Sequence, residues 1–477
     1  MKTYESKIQV DSEIGRLRTV LIHSPDNGIG RVAPSKAQDW LFEDILHLDT
    51  VRREYDLYVQ LLLYFLDQET IKRKPSDSGG AGDERAFYKP GMPGFYHSDR
   101  VLEIEKLLAD ILKIENIREK LCAAVCAIEG CSYNQQSNLN ALDAERLARI
   151  LISGSLKSGE MLFPPIPNLI FTRDIGITIN NHILLNKPAK KARNRESLLS
   201  RYIFYNHPIF AAYRGHILEI PHQVQHFLRP GEVAEDKTTL EGGDVMVVSP
   251  DHVIIGCSER SSPGGVAEAI RLLFENDVVN KVSVVKIPHK RDYMHIDTLF
   301  TQVNRHTWVV LHAICSGRNK NKGQPLEYLS DKKKQDQVSV LQFKKGREKP
   351  KKFKSIESLL ASVSQRDLGS TEEPVFIYSG NDEFPHDERE QWTDSCNILA
   401  LKEGVALGYD RNDRSIEAFK EAGFQVIEAE QLLQQLEAGE TDIDRLENTL
   451  ILMPSAELSR ARGGFRCMSM PLLRDPI

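Results

Sequence analysis

Cys467 lies near the end of the chain in Arg462-Gly463-Gly464-Phe465-Arg466-Cys467-Met468-Ser469-Met470-Pro471. A thiolate attacks electrophilic carbon, and Arg462 and Arg466 on either side of the cysteine favour that charged form. The two glycines before it let the backbone approach a small ligand closely. Taken alone, a cysteine beside two methionines fits a packed core as well, because free cysteine is among the most buried residue types. Three stretches upstream tip the balance towards chemistry. Asn168-Leu169-Ile170-Phe171-Thr172-Arg173-Asp174, Glu241-Gly242-Gly243-Asp244 and Met294-His295-Ile296-Asp297-Thr298 set acids and a histidine where strands are expected to end. In an extended His295-Ile296-Asp297 the first and third side chains share a face, so imidazole and carboxylate address one ligand. Singly, each has a bland explanation: Asp174 as a turn cap, the Glu-Gly-Gly-Asp run as a tight turn, His295 as a core histidine. A metal site at His295 and Asp297 lacks a third ligand at diagnostic spacing. Together, a thiol, a proton-transferring histidine and several carboxylates suit a cationic planar electrophile such as a guanidinium, whose N–H fork carboxylates grip bidentately.

The chain that must position these groups has 477 residues and is 41% hydrophobic, enough for one large domain or two. A net charge of -6 and a pI near 6.2 leave no global basic field, so no nucleic-acid partner is expected. The start of the chain has no apolar signal core and no apolar run spans a bilayer, which predicts a cytoplasmic protein with no membrane partner. Seven scattered cysteines, an odd number, argue against a disulfide framework. Cys122, Cys126 and Cys131 sit in a helical-looking segment without a histidine and read as core filling, not zinc ligands.

Residues 17–25 read as a buried strand and 51–68 as a helix, followed by a polar loop. Helical spacing returns over 99–154, with Leu102, Ile104, Leu107, Leu108, Ile111 and Leu112 on one stripe, so 45–155 is expected to be a helical insertion. Beyond Pro165, short β-branched runs at 169–172, 175–179, 245–248, 253–255, 282–287, 308–311, 398–401 and 405–407 alternate with helical patterns at 192–205, 264–275, 355–364 and 414–422. That alternation predicts an α/β domain. The lysine-rich stretch 316–354 is expected to be a solvated surface insertion, dispensable for chemistry.

These motifs carry a resemblance. In Val20-Leu21-Ile22-His23, Leu41-Phe42-Glu43-Asp44, 168–174, 193–198, 241–244, Ser258-Glu259-Arg260, 294–298, 404–412 and 462–472, the chain resembles the arginine deiminases of the guanidino-group-modifying (pentein) superfamily. The resemblance implies a five-bladed pseudo-symmetric α/β propeller formed by 1–44 and 156–477, with a helical bundle at 45–155. It implies Cys467 as nucleophile, His295 as acid and base, Asp174 and Asp297 as guanidinium ligands, and Glu241 as partner of the histidine. Arg193 and Arg260 fall on the family's carboxylate-binding positions, and Asn168, Phe171 and Arg462 on its substrate-contacting and gating positions. The implied reaction turns L-arginine and water into L-citrulline and ammonia without a metal or organic cofactor, in an expected homo-oligomer. An amidinotransferase using the same site, or a non-catalytic arginine-binding protein, are the alternatives. The chain departs from the family pattern at Phe465, a bulky residue expected to alter the loop or pocket, at Arg193-Asn194-Arg195-Glu196, and in apparent additions at 74–95 and 316–354.

Overall fold

The short strands fall into five sheets among the described residues. The computed structural model describes residues 7–37, 39–42, 44–72, 95–156, 160–221, 238–315 and 338–477. The expected loop at 74–94 and residues 316–337 of the lysine-rich stretch therefore lie outside the described residues. No described helix is long and apolar enough to cross a membrane.

All five sheets share one pairing pattern, an antiparallel pair whose second strand takes a parallel partner. Parallel neighbours need a crossover, and here a helix supplies it each time. Gly176–Ile179 pairs with His182–Leu185, which takes Ile217–Glu219 after the helix Asn194–Asn206. Val245–Ser249 pairs with His252–Cys257, which takes Lys281–Lys286 after Pro263–Glu275. Phe300–Gln302 pairs with Thr307–Val310, which takes Val375–Tyr378 after Ile356–Ser362. Leu399–Lys402 pairs with Val405–Tyr409, which takes Thr449–Met453, with Gln425–Glu428 alongside. The fifth sheet joins the two ends of the chain: Met470–Arg474 pairs with Leu17–Ile22, which takes Val101–Glu103 after the helix Leu48–Leu66.

This fifth unit corrects the expected helical insertion. Leu48–Leu66 is a crossover helix of the sheet framework, and its Tyr55, Tyr58, Val59 and Leu62 are buried in the same core cluster as Phe465 and Met468. Val101–Glu103 is a strand of that framework. The additional helices are Ile104–Leu112, Glu115–Glu129, Tyr133–Asn140 and Ala144–Ser153. They pack with Asn194–Asn206 around a separate core in which Cys122 and Cys126 are buried, as expected of fillers. Helical periodicity alone does not separate a crossover helix from a bundle helix, because both bury one stripe.

Two other expectations change. Residues 169–172 form no strand but parts of two 3₁₀ turns, Pro167–Ile170 and Thr172–Ile175. Pro167 fixes a φ suited to the first position of a helical turn. In the lysine-rich stretch, Ser339–Lys344 pairs with Lys281–Lys286 and Lys351–Phe353 pairs with Ser339–Lys344, extending one sheet at its edge. Val340 and Phe353 are buried there while lysines face water, so residues 338–354 are part of the fold and not a solvated appendage.

Candidate active site

The groups expected to do chemistry precede the first strand of each unit. Asp174 precedes Gly176–Ile179, Glu241 precedes Val245–Ser249, His295 and Asp297 precede Phe300–Gln302, and Cys467 precedes Met470–Arg474. Asn397 holds the corresponding place before Leu399–Lys402. One pocket is lined by Asn168, Phe171, Asp174, Arg193, Arg260, His295, Arg462 and Cys467, together with Leu41, Arg291, Met294, Thr298 and Ala461. Asn168 lies in the first 3₁₀ turn, Asp174 in the second and Phe171 at the junction between them, and all three line the pocket. Glu241 and Asp297, both fully buried, lie behind this lining.

His295 Nε2 is 2.9 Å from Glu241 Oε2. Burial would push the imidazole down, but Asp174 and the bond to Glu241 raise it to about 9, so it is protonated at neutral pH. Burial would push Glu241 up, and the bond to His295 with the Arg193 and Arg260 guanidiniums holds it well below the usual carboxylate range. Gly243 explains the glycine pair beside Glu241: a Cβ there would come within 2.4 Å of His295 Nδ1. Asp244 is a brace for this assembly, accepting the Ile296 N–H at 3.0 Å and the Ser258 hydroxyl at 2.5 Å.

Arg193 reaches Asp174 at 2.8 Å and Glu241 at 3.4 Å through Nη1, and Glu196 at 2.9 Å through Nε. Arg260 Nη1 is 3.8 Å from Glu241 Oε1. Asp174, Glu241 and His295 each offer one ligand atom, all within 4.8 Å of one another, the spacing of a metal site. Arg193 touches two of the three, so a guanidinium already supplies positive charge to this cluster.

The surroundings of Cys467 differ from the expectation drawn from its flanking arginines. Arg462 stacks on the indole of Trp392, with its guanidinium carbon 3.3 Å from the ring centroid. Arg466 turns inward, giving Nη1 to Asp297 Oδ2 at 2.7 Å and Nη2 to Glu13 Oε1 at 3.0 Å. Burial, Asp297, Asp174 and Asp394 push the thiol well above its usual value, with Arg466 opposing them. Asp297 Oδ2 lies 3.5 Å from Sγ. Its Oδ1 is buried with no hydrogen-bond partner among the described residues. Phe465 does not enter the pocket. It is buried between the rings of Tyr58 and Tyr409, at centroid distances of 5.2 and 4.8 Å, and Tyr409 donates to Gly463 O at 2.8 Å. The bulky departure from the family pattern thus anchors the loop that carries the thiol.

Sequence reasoning missed Asn397, whose amide touches Cys467, and Glu13 and Arg173 in the buried charge network below it. The site groups, expected at strand ends, instead precede strands; Asn397 holds the same place before Leu399–Lys402, but an amide is neither acid nor base and carries no signal in sequence.

A buried thiol, a carboxylate-bound imidazole, buried acids and four arginines meet at one pocket of a mixed α/β fold, a set of groups able to bind and act on a small charged molecule. Residues 103–474 match the family model described as arginine deiminase. The chain is 30% identical to an arginine deiminase of Borrelia garinii subsp. bavariensis over 482 residues and to one of Oenococcus oeni over 489 residues, each covering 100% of both chains. A solved amidinotransferase from Microseira wollei aligns over 98% of both chains at 12% identity and a TM-score of 0.48. The chain belongs to the arginine deiminase family, hydrolases that act on the guanidino group of arginine.

Proposed function

We propose that the protein hydrolyses free L-arginine to L-citrulline and ammonia through a covalent intermediate on Cys467. The observation that carries this reading is the convergence of Cys467, His295, Asp174, Arg193 and Arg260 on one pocket from separate units of the fold. Five sheets with one pairing pattern support a five-bladed propeller, with the pocket where its strand starts meet. The catalytic unit then includes the crossover helix and Val101–Glu103, and the helical addition is confined to 104–153.

Asp174 and Asp297 hold the guanidinium. The free Oδ1 of Asp297 supports this role, because a buried acceptor without a donor is costly and a guanidinium N–H satisfies it. A cation seated among these acids reverses the field that keeps the thiol protonated, and the thiol releases its proton to water. The Cys467 thiolate attacks the guanidinium carbon and a C–S bond forms. Protonated His295 gives its proton to the departing nitrogen, the C–N bond breaks, and ammonia leaves a thiouronium on Cys467. Neutral His295, oriented by Glu241, takes a proton from water as the water oxygen attacks the same carbon. The C–S bond breaks, the O–H proton of the adduct passes to the departing sulfur, and neutral citrulline leaves, which restores the thiol and the imidazolium. Arg193 and Arg260, with Arg462 at the rim, suit the α-carboxylate of the substrate. No cofactor takes part. Seven cysteines without a disulfide suit a reducing, cytoplasmic setting. The assembly is read as a homo-oligomer, which light scattering tests.

The test is product analysis with arginine alone and with glycine or ornithine added. Citrulline and ammonia are expected in each case, and a Cys467→Ser protein that folds but gives neither. Amidino transfer to the added amine, or no covalent adduct on Cys467 after acid quench, would overturn the reading.

A further inference from the structure

We propose that Asn397 is a catalytic residue whose side-chain amide holds Cys467 from two sides and stabilises the attacking thiolate. Asn397 is 1% exposed. Its Oδ1 accepts the backbone N–H of Cys467 at 3.1 Å, and its Nδ2 lies 3.1 Å from Cys467 Sγ and 3.3 Å from Asp297 O. The orientation of the amide follows from chemistry. A backbone N–H can meet only an acceptor, so Oδ1 must face it, and the NH₂ group is left for the sulfur.

The chemistry at sulfur makes that donor matter. While protonated, the thiol can donate to Asp297 Oδ2 at 3.5 Å; once ionised, the sulfur faces a carboxylate it repels. The Asn397 N–H then becomes a stabilising contact, preorganised towards the atom that gains charge, as oxyanion donors are. Two independent features support the assignment. Gly464 packs directly on this residue, since a Cβ there would lie 2.2 Å from Asn397 O and 2.8 Å from its Cβ, so the loop is shaped to press Cys467 onto the amide. Four of the five sheet units place a site residue just before their first strand, and Asn397 is what the remaining unit places there. The assignment rests on the reading of Cys467 as nucleophile.

Asn397→Ala, Asn397→Ser and Asn397→Asp test it by two readouts. The first is the pH dependence of Cys467 alkylation by iodoacetamide without arginine, followed by peptide mass spectrometry; the second is kcat/KM for arginine. A hydrogen bond to a charged group implies a loss of about 10- to 100-fold in kcat/KM for Asn397→Ala, and an alkylation midpoint moved up by about one pH unit. Asn397→Asp keeps the acceptor for the Cys467 N–H but sets a carboxylate against the sulfur, and is expected to lose more than Asn397→Ala. Folded variants with wild-type alkylation profiles overturn the proposal, whatever their melting temperatures. Failure of all three to fold would assign Asn397 to structure and overturn it too. If the wild type turned over no arginine but the alkylation midpoint moved as expected, the substrate reading would fail while the role of the amide stood.

Discussion

Among the residues of the site, positive charge is supplied from below the thiol and not from beside it. Glu13 grips Arg466, and Arg466 holds Asp297. Burial would raise Glu13, but Arg466, Arg173 and Arg474 bring it down to about 2. A carboxylate lowered on folding contributes stability that is present above its unfolded value, about 4.3, and is lost as pH falls through about 2. Glu13→Gln strands a buried guanidinium and should destabilise the protein by roughly 3–5 kcal/mol at pH 7. Urea midpoints at pH 7 and pH 3 check this: the gap between wild type and variant should narrow on the acid side, and a constant gap would refute the assignment. Arg193 and Arg260 separate by a second measurement. Arg260→Ala should lower kcat/KM for arginine by about 30-fold or more, from roughly 2–5 kcal/mol for a broken charged pair, and scarcely affect the little turnover expected with agmatine, which has no carboxylate. Arg193→Ala should lower both, because Asp174, Glu196 and Glu241 lose their counter-ion. Equal effects of the two variants on both substrates would count against a carboxylate clamp. Cysteine, histidine and acids are legible in sequence because they carry reactivity wherever they stand. The Arg466 to Glu13 contact is not, because its partners are 453 positions apart; Arg466 reads only as a neighbour of the thiol and Glu13 as an ordinary surface charge.

At the level of elements, the lysine-rich segment changes most. Ser339–Lys344 lies between Lys281–Lys286 and Lys351–Phe353, and its buried Val340 and Gln342 alternate with partly exposed residues, as suits a strand with one wet face near a sheet edge. Val340→Asp sets a charge into the buried face and should lower the melting temperature by several degrees, while turnover per folded molecule stays near wild type, since no residue proposed for chemistry lies there. Calorimetry and active-site titration together decide it; unchanged stability would return this segment to the surface. Composition misleads here because the lysines on either side of Ser339–Phe343 dominate the segment and hide a strand only six residues long. The buried strands at 245–248 and 253–255 are legible because β-branched residues dominate them, and 405–407 because it is a short apolar run. Residues 169–172 share that composition, yet Pro167 and the turn geometry prevail.

For the whole molecule, the alternation of strands and helices is readable, but the common pairing of the five sheets is not, because it resides in partners and not in repeated residues. The clearest case is the sheet made from both ends of the chain. Cooperative units exchange their amides together. Met470–Arg474 should therefore exchange with Leu17–Ile22, checked by hydrogen exchange with mass spectrometry, and independent exchange of the two would show that they are not one unit. That sheet also sets an order of events during synthesis. Asp174, Glu241, His295 and Asn397 are all translated before Cys467, and the strand that follows the thiol pairs with one made far earlier. On the proposed mechanism, a nascent chain gathers its acids and histidine while it still lacks its nucleophile, and a chain that stalls before Cys467 holds a substrate pocket with no thiol to attack from it.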